Sequence, residues 1–153
     1  MSTLAGKTIL MSGGSRGIGL AIALRAAADG ANIAMLAKTD TPHPKLEGTV
    51  HSAAEQIRAA GGQALPIVGD VRDDDDITEA VMKTQGEFGG IDIVINNASV
   101  IDLSRSLDLG AKKYDLMQDV NVRGTFMLSR AAIPILKDAE NPHILSLLSL
   151  IHI

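Results

Sequence analysis

The stretch Ser12-Gly13-Gly14-Ser15-Arg16-Gly17-Ile18-Gly19 separates a short apolar run, about Lys7 to Met11, from a long alanine-rich amphipathic run that reaches Asp29. Small residues at that point let a backbone turn sharply at a strand end and bring the N-terminus of a helix close to a bound anion. The rest of the chain repeats the strand-then-helix alternation. Strands are predicted at Asn32 to Ala37, Ala64 to Val68, Ile91 to Ile95 and His143 to Leu147. Helices are predicted at about Val50 to Ala60, Asp74 to Phe88 and, as one long amphipathic helix, Lys112 to Leu136. Gly30 supplies the stop of the first helix, and Gly61 with Gly62 that of the second. The polar segment Lys38 to Gly48, punctuated by Pro42 and Pro44, reads as a surface loop. This alternation specifies parallel βαβ units, and right-handed crossovers wind them into an α/β, doubly wound parallel sheet. Such sheets bind ligands beyond the carboxyl ends of their strands, where strand order reverses.

A chain of 153 residues matches roughly one average domain, which leaves no room for a second substrate domain. Fourteen Lys and Arg stand against eighteen Asp and Glu, and the aromatics are limited to Phe88, Tyr114 and Phe126. There is no material for a basic stripe or a base-stacking platform, so nucleic acid is not an expected partner. The absence of cysteine removes a disulfide framework and a thiol nucleophile and fits a reducing compartment. The start, MSTLAGKT, lacks the pattern of an export signal, and no apolar stretch reaches the ~18 residues of a membrane span. The expectation is a cytoplasmic protein without a membrane partner.

The glycine cluster meets the context that a phosphate-binding turn requires, a strand before it and an amphipathic helix after it. A Walker-type loop ending at Gly6-Lys7-Thr8 fails, because the glycine needed five positions earlier falls on Met1 and the lysine would open a strand. In a dinucleotide site of Rossmann type, an acidic residue about twenty positions beyond the glycines commonly binds the ribose hydroxyls. Here Ala37 and Lys38 stand at the end of the second strand instead. Lys38 and Arg16 place two cations where a 2′-phosphate would lie, which favours NADP over NAD as cofactor. A charge-assisted hydrogen bond of about 1.5–3 kcal/mol makes loss of Lys38 worth roughly ten- to a hundred-fold in NADP affinity. The other reading of Lys38 is a solvated lysine at a loop mouth.

The glycine pattern, then Asp70-Val71, Asn96-Asn97-Ala98-Ser99 and Asn121-Val122-Arg123-Gly124, resembles the short-chain dehydrogenase/reductase family over about Leu4 to Leu147. Ala37-Lys38-Thr39 followed by Pro42-His43-Pro44-Lys45-Leu46 further resembles its hydroxysteroid dehydrogenase-like branch. The resemblance implies an oxidoreductase that moves hydride between a nicotinamide and a hydroxyl or carbonyl of a small-molecule substrate, as a homo-oligomer. It assigns Gly13, Ser15, Arg16, Gly17, Ile18, Gly19, Lys38, Asp70, Val71, Asn97 and Ala98 to the cofactor. Asp70 would bind the adenine amino group, the backbone of Asn97 and Ala98 would line the cofactor, and Asn121 would hold a water in a proton relay. Two departures from the family pattern stand out. Ser12 replaces a threonine and keeps its hydroxyl, and Ser99 replaces a glycine.

Each assignment has a structural alternative. Asp70 ends a strand and could cap the third helix. Asn121 shares its helix with Gly124, a residue that costs about 1 kcal/mol inside a helix and so points to close packing or a bend. The run Asp73 to Asp76 opens the third helix, where carboxylates favour the positive dipole end, so no metal is expected there. His43, His51, His143 and His152 share no ligand spacing. Leu116, Val120, Met127 and Leu128 form a stripe that reads as core or as part of a subunit interface.

Hydride transfer in the family further implies a serine after the fifth strand and a Tyr-x-x-x-Lys pair. The single tyrosine, Tyr114, has Gln118 four positions on, and only Ser149 falls where the serine would lie. The last six residues, Leu148 to Ile153, read as the translation of CTG TCT CTT ATA CAC ATC, the transposon end used in sequencing libraries. They are expected to be a non-native tail, which leaves residues 1–147 as an incomplete dinucleotide-binding domain, truncated after about its fifth strand and without activity of its own. Truncation would expose that strand as an apolar edge and make the chain poorly soluble. A non-catalytic nucleotide-binding or scaffold protein of the same fold remains the alternative.

Overall fold

A computed structural model of the chain describes residues 3–42 and 48–147. Ser149 and the expected tail lie outside the described residues, as does the 43–47 part of the loop after the second strand. The strands are β1 (Thr8–Ser12), β2 (Asn32–Ala37), β3 (Gln63–Val68), β4 (Ile93–Asn96) and β5 (His143–Ser146). They pair in parallel in the order β3-β2-β1-β4-β5. The order reverses at β1, whose neighbours are β2 on one side and β4 on the other, and this opens a crevice at the carboxyl ends of the two.

β1 and β2 are apolar on successive residues because helices cover both faces of the sheet. Ile9, Met11, Ile33 and Met35 point to one face and pack with α1 (Gly17–Ala28) and α2 (Val50–Ala59) through Ala23, Ala27, Val50 and Ile57. Leu10, Ala34, Leu36 and Val94 point to the other. There they meet α3 (Asp74–Phe88) through Ile77 and Val81, and a later helix through Leu128, Ala132 and Leu136. Each fully buried Ile, Leu or Met stabilises the sandwich by about 1.5–3 kcal/mol.

Element positions follow the sequence reading to within two residues. β4 starts at Ile93 rather than Ile91, although Asp92 is already bonded to β1. Its carboxylate accepts from the Thr8 N–H at 2.8 Å and from Lys7 Nζ at 3.0 Å, and its own N–H donates to the Thr8 carbonyl at 2.9 Å.

The expected long helix is corrected. It divides into α4 (Ala111–Gln118), a wide π-type turn over Asp119–Gly124 and α5 (Thr125–Leu136). The reason lies in spacing. The buried residues Val120, Gly124, Leu128, Ala132 and Leu136 recur every four positions. In an uninterrupted α-helix of 3.6 residues per turn such a row slides by about 40° per step, and a wider turn winds it back toward the sheet. Gly124 sits at the closest approach, where a Cβ would lie 2.9 Å from Val71 Cγ2. The close packing expected at Gly124 is therefore present. Val120 and Leu128 are buried, with Leu116 and Met127 partly buried against the same core.

Among the described residues β5 pairs with β4 alone, and its Ile144 and Leu145 remain 43% and 46% exposed. Among the described residues no helix is long and apolar enough to cross a membrane.

Candidate dinucleotide site

Ser12 ends β1, and its hydroxyl accepts the N–H groups of both Asn97 and Ala98 at 3.1 Å. The Asn97 amide answers by donating to the carbonyls of Ser12 at 3.1 Å and Gly13 at 2.8 Å. The loops after β1 and β4 are thus tied together by side chains, and the hydroxyl that Ser12 keeps is the knot. Gly13 has φ +75°, and a Cβ on it would meet Ala98 Cα at 2.9 Å; one on Gly19 would lie 2.5 Å from Asn97 Nδ2. These two glycines make room for the Asn97 loop itself. At Gly17 no atom lies within 4 Å of where a Cβ would be, so the turn there faces open space.

That space borders the start of α1. Arg16 precedes the helix in an extended conformation, no side chain caps it, and its first turn holds no acidic residue. The Arg16 guanidinium turns away to Thr39 Oγ1 at 2.8 Å and the Gly48 carbonyl at 3.1 Å, closing the mouth of the loop after β2. α2 and α3 also follow strands but carry their own caps, whereas α4 begins uncapped at Gly110 after a longer loop from β4. Thr49 and Ser52 form a capping box on α2, and Asp73 accepts from the Asp75 and Asp76 N–H groups on α3. The unsatisfied N–H groups and dipole of α1 are therefore left for an anion.

A cavity of about 480 Å³ lies in front of that helix end, walled by the carboxyl ends of β1 to β4. Of the expected cofactor residues, Gly13, Ser15, Arg16, Ile18, Gly19, Lys38, Asp70, Val71, Asn97 and Ala98 all line it. Gly17 does not; it sits in the turn between two that do. Ala37 and Ser99 line it too, and Leu36, Thr39, Gly69, Val100, Leu116 and Val120 complete the wall; none of these was assigned to the cofactor from the sequence. The rule that ligands collect after the strands would have found Leu36, Thr39 and Gly69, but only the fold brings Leu116 and Val120 there.

Asp70 is the electrostatic centre of the site. Its Oδ2 accepts from Lys38 Nζ at 2.9 Å and from the Arg72 guanidinium at 2.6 and 2.9 Å, and its Oδ1 from the Arg72 N–H at 3.0 Å. Burial pushes the carboxyl up, but the hydrogen bonds from Arg72 and Lys38 together outweigh it and hold Asp70 well below the usual carboxylate range. The capping role open to Asp70 falls to Asp73 instead. The neighbouring carboxylates are also engaged: Asp74 pairs with Arg123 at 2.7 Å, and Asp76 accepts from the Asp70 N–H at 2.7 Å.

Asn121 lies in the π-type turn and uses both ends of its amide on Val100, accepting from its N–H at 2.9 Å and donating to its carbonyl at 2.8 Å. It fixes the loop after β4 against the turn and is not part of the cavity wall. Tyr114 is half exposed on α4.

A glycine turn, an uncapped helix end and a cation-flanked cavity at the switch point of a parallel sheet define an α/β fold of the nucleotide-binding, Rossmann type. The family described as short chain dehydrogenase matches residues 7–152, and the chain belongs to the short-chain dehydrogenase/reductase family, a family of oxidoreductases. It is 57% identical over 144 residues to hydroxysteroid dehydrogenase-like protein 2 of Bos taurus, covering 94% of this chain and 34% of that protein. The chain thus spans about a third of the length of the curated relatives it matches, and the branch resemblance seen at Ala37 to Leu46 agrees with them. A short-chain dehydrogenase from Mycobacterium thermoresistibile superposes with a TM-score of 0.94 at 56% identity, over 99% of this chain and 54% of that one. An NADH-dependent reductase, A1-R′, solved in complex with NAD, superposes with a TM-score of 0.83 at 28% identity, over 97% and 62%.

Proposed function

We propose that this chain is the NADP-binding part of an oxidoreductase that transfers hydride between a nicotinamide and a hydroxyl or carbonyl of a small-molecule substrate. The observation that carries the proposal is the uncapped start of α1, opening on a cavity that has Lys38 at its rim and no carboxylate at the end of β2. The residues present fit such a cofactor. The first-turn N–H groups of α1 would hold the pyrophosphate, Lys38 with Arg16 would neutralise a 2′-phosphate, and Asp70 would meet the adenine amino group. Val71 and the backbone of Asn97 and Ala98 would line the cofactor, held to the glycine turn through Ser12. Asn121 would act by fixing Val100, which places the loop bordering the substrate side of the cavity.

When bound, the nicotinamide supplies the hydride. The 153 residues hold no Tyr-x-x-x-Lys pair to move the accompanying proton, so this stretch binds cofactor but does not turn over by itself.

The test is to titrate NADP and NAD against the protein and its Lys38→Ala variant. NADP affinity is expected to fall roughly ten- to a hundred-fold and NAD affinity to stay within about twofold. Equal losses for both dinucleotides would overturn the NADP assignment.

A further inference from the structure

The cofactor reading leaves Arg72 without a role, although it makes the shortest contacts in the site. Lys38 and Arg72 converge on the same oxygen of Asp70, with Lys38 Nζ at 2.9 Å and the Arg72 guanidinium at 2.6 and 2.9 Å. One carboxylate oxygen therefore faces two cations.

The two cations differ in how firmly they are held. The Arg72 side chain is 36% exposed and forked onto Asp70, its own N–H donates to Asp70 Oδ1 at 3.0 Å, and its carbonyl accepts from Arg123 Nη1 at 2.8 Å. Lys38 is 61% exposed on a flexible stem and holds Asp70 through one contact. A planar guanidinium fixed at both ends does not leave its carboxylate easily, whereas an ammonium on four methylenes does. If Lys38 turned to an incoming phosphate without Arg72 in place, Asp70 would be left partly buried and unpaired, and that penalty would be charged against binding.

From this we infer that Arg72 is a positioning residue for cofactor choice: by holding Asp70 alone, it frees Lys38 to meet the 2′-phosphate of the dinucleotide. The inference rests on the NADP reading above and adds to it a residue outside the cavity wall. Without Arg72, Lys38 becomes the sole counter-ion of Asp70 and is kept from the ligand.

The experiment measures, on the full chain, the preference for adenosine 2′,5′-bisphosphate over AMP, as the ratio of their dissociation constants. It uses four proteins: wild type, Arg72→Gln, Lys38→Ala and the double variant. Arg72→Gln is expected to lower the preference about tenfold, roughly the loss of one good charge-assisted contact. On the Lys38→Ala background the same change is expected to shift it by less than about twofold, because Lys38 is the group through which Arg72 acts. A purely structural role for Arg72 would weaken both ligands alike and leave the ratio unmoved, and that result overturns the inference. An equal drop with and without Lys38 overturns it too, since Arg72 would then act on the phosphate directly. If Lys38→Ala leaves the preference unchanged, the NADP reading itself fails, a result separable from the other two. Should Arg72→Gln fail to fold, Arg72→Lys carries the same test with a smaller drop, because it keeps the charge and loses the fork.

Discussion

α1 and α3 both begin where a strand of the same sheet has just ended, yet their first turns are completed in opposite ways. α3 satisfies itself: Asp73 accepts the N–H groups of Asp75 and Asp76, and three more aspartates occupy the first turn, where the dipole favours negative charge. α1 has no cap, no acid in its first turn and an arginine whose guanidinium points elsewhere. The same backbone chemistry is closed in one helix by its own sequence and left open in the other. α4 is uncapped as well, but only the open end of α1 borders the cavity, so it is the missing cap together with the cavity that marks where this fold expects something from outside.

The harshest way to break this contrast is to give α1 the device of α3. Arg16→Asp would place a capping carboxylate and a negative charge at the phosphate position. NADP affinity is expected to fall about a hundredfold by titration while the melting temperature holds or rises. Next in size is Gly19→Ala, whose added methyl would strike Asn97 Nδ2 and the Gly13 carbonyl. It should cost about 1–3 kcal/mol in urea unfolding and weaken NADP binding with it, because the glycine turn and the Asn97 loop would be forced apart.

Asp73→Ala sharpens the other side of the comparison. It should lower stability by about 1 kcal/mol and leave NADP affinity unchanged, since that cap serves only α3. The smallest effect is in acid. Asp70 is held ionised by Arg72 and Lys38, so the stability it contributes is present above the ordinary carboxylate value of about 4 and is lost as pH falls through its lower value in the folded protein. The deficit of Asp70→Asn relative to wild type, read as a urea midpoint, should accordingly be constant near neutrality and shrink below about pH 4.

Most of the architecture is legible in the residues, because continuous apolar strands and alanine-rich helices leave one arrangement that buries both faces of the sheet. The glycine turn is legible for the same reason, but the use of its glycines is not. Gly13 and Gly19 accommodate Asn97, more than seventy positions away, and no local pattern announces that contact. Lys38 and Asp70 read from sequence as two separate ligand contacts, whereas in the fold they are partners with Arg72. Asn121 shows why an amide in a helix is hard to read: its side chain serves Val100, a residue of another loop. The break between α4 and α5 was signalled only by Gly124 and by a four-residue spacing too regular for a straight helix.

That wide turn fixes how the chain tolerates insertions and deletions. It keeps one residue more per turn than the helices on either side, and so sets the rotational phase between them. Removing a single residue from Asp119–Gly124 would let the turn tighten to the ordinary α pitch and leave Leu128, Ala132 and Leu136 facing the sheet, whereas removing one from α5 ahead of Leu128 would rotate all three by about 100°. A deletion of similar size in the loop before Ala111 would be absorbed without turning any helix. The wide turn is thus a place where this helical stretch can take up or give back a residue without losing its phase against the sheet.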